Sequence, residues 1–255
     1  MRNLVKAVAV VAALVPAMAL AQIAGTRHDL SNANTTATTV SAATGGSDQT
    51  CIFCHTPHRG ASQQLLWNRN AQTTAYNWGT TTATTGTTPL PTTLRPQSMA
   101  CLSCHDGSIS LGEVRNSSGA ATTFTMVGNV SGTGALTGGY VVGAGGNLSG
   151  NHPISIAYPL AAGSNYFGNV SGVTSAAGVA DFRALAGGAA CSTPTGICTA
   201  HTAGANITIY ADAATGGRGI ECGSCHDVHN RFSGNTYFLR ATTAGSAICL
   251  ACHAK

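Results

Sequence analysis

The strongest constraint on this chain is a five-residue pattern that occurs four times: Cys51-Ile-Phe-Cys54-His55, Cys101-Leu-Ser-Cys104-His105, Cys222-Gly-Ser-Cys225-His226 and Cys249-Leu-Ala-Cys252-His253. C-x-x-C-H is the attachment sequence of a c-type haem. Two thiols three positions apart share one face of a helical turn, where each can form a thioether to a vinyl group. The His that follows is then directed at the iron as its proximal ligand. Zinc ribbons also use C-x-x-C, but four copies, each followed by His, favour haem over zinc and over a disulfide framework. The chain therefore reads as a carrier of four covalently bound haem c groups. Their anchors are Cys51, Cys54, Cys101, Cys104, Cys222, Cys225, Cys249 and Cys252, and their proximal ligands are His55, His105, His226 and His253.

Composition points the same way. Charged residues make up 8 % of the chain, against about 25 % in a typical soluble protein. Leu, Ile, Val and Phe together number 47 of 255 residues, and Gly alone numbers 32. So little aliphatic side chain, without a high net charge, describes neither an ordinary core former nor a charged disordered tail. Four macrocycles would supply the missing apolar interior, and the haem-free chain is expected not to fold. The expected fold class is an irregular, haem-organised multihaem cytochrome c fold. It consists mostly of loops, with short helices at the C-x-x-C-H motifs and a few short β-strands in a central insert. The net charge of +4 is too small to suggest a nucleic-acid partner.

Arg2 and Lys6 precede the apolar run from Ala7 to Leu20, and Ala19-Leu20-Ala21 offers small residues at a cleavage site. Residues 1–21 thus read as an export signal, too short and Ala-rich to span a membrane comfortably. The mature chain, 22–255, is expected to form a single tetrahaem domain with no membrane span. It divides into a first haem pair (22–106), a Gly/Ser/Thr-rich insert (107–220) and a second haem pair (221–255). The expected location is extracellular or at the cell surface, with the periplasm as the alternative. In such an oxidising compartment Cys191 and Cys198, which lack the haem-motif context, are expected to pair as a disulfide. Free or metal-binding thiols are the other reading.

Nine His are present. With four proximal, the candidates for the distal positions are His28, His58, His152, His201 and His229, and only Met99 and Met126 lie outside the signal. Bis-His ligation is therefore the economical reading, and it implies lower potentials than His/Met ligation. His58 and His229 follow their proximal His in the same C-H-x-x-H context. Neither can reach the opposite face of its own haem, so each is expected to ligate a neighbouring one. His152 precedes Pro153, which biases it to an extended backbone. His28 lies close to the mature N-terminus, which ligation would tie down. His201 is the spare, though His28 and His201 can exchange roles. Iron chemistry needs an open axial site, and a chain with more His than it needs reads as an electron carrier with no catalytic residue, not an enzyme.

The pattern C-x-x-C-H-x-x-H begins at Cys51 and again at Cys222, each time followed by a motif without the second His, which suggests two haem pairs built on one plan. In the insert, Gly128-Asn-Val-Ser-Gly132, Gly146-Asn-Leu-Ser-Gly150 and Gly168-Asn-Val-Ser-Gly172 supply turn residues. Thr122–Val127 and Tyr140–Val142 are candidate strands. The Thr-rich stretch 79–93 is expected to be an exposed loop.

One known family shares these landmarks in order. They are Gly25-Thr-Arg-His28-Asp29-Leu30-Ser31, Cys51-Ile-Phe-Cys54-His55-Thr56-Pro57-His58, Leu66-Trp67-Asn68-Arg69, Cys101-Leu-Ser-Cys104-His105-Asp106-Gly107, Asn151-His152-Pro153-Ile154-Ser155, Cys225-His226-Asp227-Val228-His229-Asn230 and Phe238-Leu239-Arg240. The chain resembles the OmcE-type tetrahaem cytochromes, which polymerise into extracellular filaments called cytochrome nanowires. The resemblance implies bis-His ligation of all four haems, alternating stacked and T-shaped haem packing, and little regular secondary structure. It also implies a head-to-tail homopolymer with a continuous haem chain, in which an axial His can come from the neighbouring subunit. The Cys191/Cys198 loop and His201 depart from that pattern. Electrons would pass to other redox proteins or to extracellular acceptors. The competing functions are a monomeric periplasmic electron shuttle and a multihaem redox enzyme with one open haem. Lys255 is the only lysine outside the signal, which counts against docking through lysine patches.

Overall fold

The computed structural model describes residues 23–34, 40–60, 66–70, 72–80, 90–91, 93–117, 122–158, 185–186, 198–202, 205–211, 218–230 and 237–253. The export signal, the third Gly-Asn-Val-Ser-Gly segment, most of the Thr-rich stretch and Cys191 lie outside them, so the expected Cys191–Cys198 disulfide does too.

Most of the described chain is irregular, and its helices are short and sit at the cysteine motifs. Helix α1 (Pro96–His105) is the longest. It starts where it does because Pro96 has a preset φ and lacks the N–H that a first helical residue cannot use anyway. Helices α2 (Cys222–Cys225) and α3 (Ala247–Leu250) are single turns, and a 3-10 turn, Thr50–Phe53, opens the first motif.

The strands are more extensive than the sequence suggested. Strand β1 (Ser41–Ala42) pairs antiparallel with β2 (Met126–Val127). A second, five-stranded antiparallel sheet comprises β3 (Ile156–Ala157), β4 (Leu185–Ala186), β5 (Cys198–Thr202), β6 (Ala205–Ala211) and β7 (Arg218–Ile220), in the order β3-β7-β6-β5-β4. Strand β6 places Ile207 and Ile209 on one face, and Thr208 on the other is buried as well. Of the two candidate strands, Thr122–Val127 contributes only β2. Tyr140–Val142 is not a strand: Gly138, at φ 75°, starts a 3-10 turn through Tyr140, and the Val142 N–H donates to the His105 carbonyl at 2.7 Å. The two described Gly-Asn-x-Ser-Gly segments are turns. Gly128, Gly146 and Gly150 have φ of 103°, 83° and 80°, and a Cβ on Gly146 would lie 2.3 Å from the Ala75 carbonyl oxygen.

Among the described residues the apolar side chains form three small clusters, and haem motifs supply part of each. Ile52 and Phe53 pack with Leu30, Leu111, Val114 and Met126. Leu102 packs with Tyr76, Trp78, Leu94 and Leu148. Ala251 packs with Tyr158, Ile207, Ile209 and Ile220.

The repeated C-x-x-C-H-x-x-H sequence extends into a repeated hairpin. Isolated bridges join His55 to Trp67 and His226 to Leu239. The Thr56 N–H donates to the Leu66 carbonyl at 2.9 Å, and the Asp227 N–H to the Phe238 carbonyl at 2.6 Å. Asn68 and Arg240 each donate their N–H to the carbonyl of the second cysteine, Cys54 or Cys225, both at 2.9 Å. Their side chains reach back to the residue after the first cysteine, Asn68 to the Ile52 carbonyl at 2.6 Å and Arg240 to that of Gly223 at 2.7 Å. Left-handed residues recur in step: Arg59 (58°) with Asn230 (51°), and Leu66 (49°) with Phe238 (56°). Four such non-glycine residues in matching places mark a conserved backbone plan. The partner motifs diverge, because Ser98 lies within α1 whereas its counterpart Ser246 is left-handed, at φ 59°, ahead of α3.

Candidate haem sites

In each motif the residues between the cysteines point into the protein, while the cysteines and His lie nearer the surface. Phe53, Leu102, Ser224 and Ala251 are 0–1 % exposed, whereas Cys51 and Cys249 are exposed and the other six cysteines half-buried. A single helical turn makes this separation, and the His N–H closes it. His55 and His253 donate to the carbonyls of Cys51 and Cys249 at 2.8 and 2.9 Å, and His226 to that of Cys222 at 3.1 Å.

The imidazoles are held in the form a metal needs. His105 Nδ1 lies 2.9 Å from the Tyr140 carbonyl and His226 Nδ1 lies 2.8 Å from that of Tyr237. A carbonyl only accepts, so Nδ1 carries the proton and Nε2 keeps its lone pair outward. His152 is held likewise by the Pro153 carbonyl, at 2.8 Å. His28 bonds the Val228 carbonyl; burial, reinforced by His105, holds its pKa down at about 4, so the ring is neutral. Burial lowers that of His105 as well.

Two imidazole pairs are close enough that each would be able to hold one haem iron, since an imidazole nitrogen bonds a first-row metal at about 2 Å. The His28 and His105 centroids are 6.1 Å apart, and those of His55 and His229 are 6.2 Å apart. Face-packed rings are closer, as with His28 on Phe238 at 4.5 Å and 8°. The residues present thus fit haem: paired thiols on one turn, imidazoles of which three turn Nδ1 to a carbonyl, and two imidazole pairs that would be able to hold an iron each. Among the described residues no group of three or more His, Cys, Asp or Glu converges on a bare metal ion.

The other candidate residues are placed as follows. His58 and His152 are exposed and His253 is half-buried. His201 lies in β5, opposite Asn206. The anchors follow one another in chain order. Burial and the neighbouring Cys104 push the Cys54 thiol up to about 12. Cys101 and Cys222 lie close together, which raises the thiol of the one and lowers that of the other. Burial, with Cys225 and Cys249 alongside, pushes Cys252 up to about 12. Thioether formation abolishes all of these titrations, but the proximity remains.

Sequence reasoning passed over the residues that brace the sites. Asp106, next to His105, accepts from Tyr76 Oη at 2.9 Å, Ser108 Oγ at 2.7 Å and Gln72 Nε2. Asp227, next to His226, faces Arg240 at 3.9 Å. Asp29, next to His28, accepts from Ser31 Oγ at 2.6 Å and the Gly25 N–H at 2.8 Å. Each carboxylate directly adjoins a candidate ligand, a recurrence visible in the sequence as His-Asp.

No curated protein matches the chain. Residues 214–255 match the family described as doubled CXXCH motif. That segment holds the third and fourth C-x-x-C-H motifs, a doubled motif of the kind that attaches haem c covalently in multihaem c-type cytochromes.

Proposed function

We propose that this cytochrome is an extracellular electron conduit: four haems, each ligated by two His, form a continuous path, and copies join head to tail into a filament that passes electrons to external acceptors. The observation that carries the ligation is the pair of imidazole spacings, 6.1 Å for His28 and His105 and 6.2 Å for His55 and His229. His28 thus serves the haem on Cys101 and Cys104, and His229 that on Cys51 and Cys54. The haems of His226 and His253 take His58 and His152, from this chain or a neighbour, with His201 spare. When bound, each haem supplies a one-electron ferric/ferrous couple.

The chain's own residues fix ligand geometry and limit reorganisation. The Tyr140, Tyr237 and Val228 carbonyls lock three rings in place, and Phe238 covers one face of His28. Consecutive motifs with neighbouring sulfurs support a row of haems in chain order. The resemblance to filament-forming tetrahaem cytochromes supports the polymer.

Electron microscopy of the cell-surface fraction tests the polymer: filaments are expected, and a strictly monomeric preparation across native conditions would refute it. Carbon monoxide tests the ligation. The reduced wild type should bind none, and His229→Ala should bind one per chain. That binding should vanish when Cys51 and Cys54 are also replaced by Ser, because the opened iron belongs to the distant first motif and not to the adjacent third.

A further inference from the structure

Electron transfer as described leaves one buried ionisable side chain unused. Glu221 immediately precedes Cys222, has no exposed surface, and joins two haem-bearing helices. Its Oε2 accepts from the Ser98 hydroxyl of α1 and from Ser155 Oγ at 3.0 Å. Ser98 Oγ in turn accepts the Cys222 N–H of α2 at 3.2 Å. With Cys101 and Cys222 close to each other, the carboxyl sits between the anchors of the second and third haems. Its other oxygen, Oε1, is buried without a hydrogen-bond partner. An ionised carboxylate in that position is costly, and a proton on Oε1 removes the charge.

The charged and titratable groups facing Glu221 among the described residues are few. Arg95, at the start of α1, is the cation and favours the ionised form. Cys101 of α1 and Cys222 of α2 cease to titrate once they are thioethers. Tyr210 of β6 is kept protonated by burial, with Arg240 beyond it. Burial holds the Glu221 carboxyl itself at about 7, so it is the member of this group that changes charge near neutrality.

We infer that Glu221 takes up a proton when an electron enters a haem beside it, so that electron passage through the middle of the chain is coupled to proton binding. The inference rests on the multihaem electron-carrier reading above. One electron from an external reductant converts one ferric centre to ferrous, and the local positive charge falls by one. The carboxylate, less attracted to that centre, binds one proton from solvent at Oε1 and becomes a neutral carboxyl. On oxidation the electron leaves for the acceptor and the proton returns to solvent. No bond other than that O–H forms or breaks.

The test is a spectroelectrochemical titration of the haem-loaded full chain with dithionite across mildly acid to mildly alkaline pH, comparing wild type with Glu221→Gln. In the wild type the midpoint potential of part of the haem is expected to fall as pH rises through neutrality. Glu221→Gln should lose that slope while keeping a low-spin spectrum. The redox difference infrared spectrum should gain a protonated-carboxyl band on reduction in the wild type only. Ser155→Ala removes a hydrogen bond to the ionised form and should move the inflection to higher pH, which keeps the test decisive if the Gln variant fails to fold. An undiminished slope in Glu221→Gln, or an unmoved inflection in Ser155→Ala, overturns the inference. High-spin haem in the wild type would instead overturn the bis-His reading, and the infrared band would still decide the role of Glu221.

Discussion

Arg69 offers a sharp test of how the first two haem sites are held together. Its side chain is 0 % exposed, and its guanidinium spans four main-chain carbonyls, one within the second motif and three just after it. Nη1 donates to Leu111 and Glu113 at 2.9 and 3.0 Å, and Nη2 to Ser103 and Ser110 at 3.3 and 2.6 Å. Arg69→Met fills similar space but removes four bonds, of which the Ser110 carbonyl keeps a second partner in the Glu113 N–H. At about 1–3 kcal/mol for each of the other three acceptors left unpaired, the gross loss is about 3–9 kcal/mol. The wild-type charge carries its own desolvation cost of several kcal/mol, and its Nε has no acceptor, so part of that loss is offset. The expected net destabilisation is about 3–5 kcal/mol, against the roughly 5–15 kcal/mol that holds a typical domain. Urea unfolding of the haem-loaded protein, followed by far-ultraviolet circular dichroism, should show a lower midpoint at unchanged slope. Arg69→Lys keeps the charge but cannot fork to four carbonyls, and it should fall between the two. Arg69 also faces Cys54, so the Met variant should lower the potential of the first haem while the Lys variant preserves it. An Arg69→Met midpoint equal to that of the wild type would refute the clamp.

Three further outcomes are expected. Burial raises the Glu221 carboxyl from 4.5 to about 7, so the stability its neutral form contributes is full below about 4.5 and is lost as pH rises to about 7. Above that, Glu221→Gln should be more stable than the wild type by on the order of 3 kcal/mol, and parallel pH profiles of unfolding would contradict this. A Cβ on Gly223 would lie 2.2 Å from Tyr210 Oη. Gly223→Ala should therefore cost about 1–3 kcal/mol by overpacking, with partial rescue by Tyr210→Phe in thermal unfolding. The chain produced without haem attachment should lack a cooperative unfolding transition, because its apolar clusters are small and separate. A sharp calorimetric transition in that material would count against haem as the organiser.

Much of this was legible in the sequence because covalent chemistry is local. C-x-x-C-H specifies a helical turn, an outward pair of thiols and a following imidazole within five residues, and each described motif has that form. Where the reading fell short, the determinants were long-range. Nothing near His229 indicates that it faces His55, since it takes the fold to bring the two together. Nothing near Arg69 shows that it ends fully buried among carbonyls of residues 103–113. The sheet was underestimated because β6 is partnered by β5 and β7, and its Ala-Asn-Ile-Thr-Ile-Tyr-Ala stretch is too mild in composition to stand out among Gly and Thr. Tyr140–Val142 reads as β-forming by residue type, yet the turn at Gly138 and the bond from Val142 to the His105 carbonyl govern it.

The doubled hairpin has a further consequence, concerning polarity. The segments after Cys51 and Cys222 share matching backbone bonds at Thr56 and Asp227 and at Asn68 and Arg240, so His58 and His229 occupy equivalent positions in the two repeated arms. One arm is turned inward, with its imidazole opposite His55; the other presents its imidazole to solvent. A unit with one engaged arm and one extended arm has two unlike ends. Were His58 to ligate an iron of a second copy, its surface would meet a different surface of the neighbour, which is a heterologous contact. Such a contact adds copies in one direction, and its growth stops only if the rotation per copy happens to close a ring.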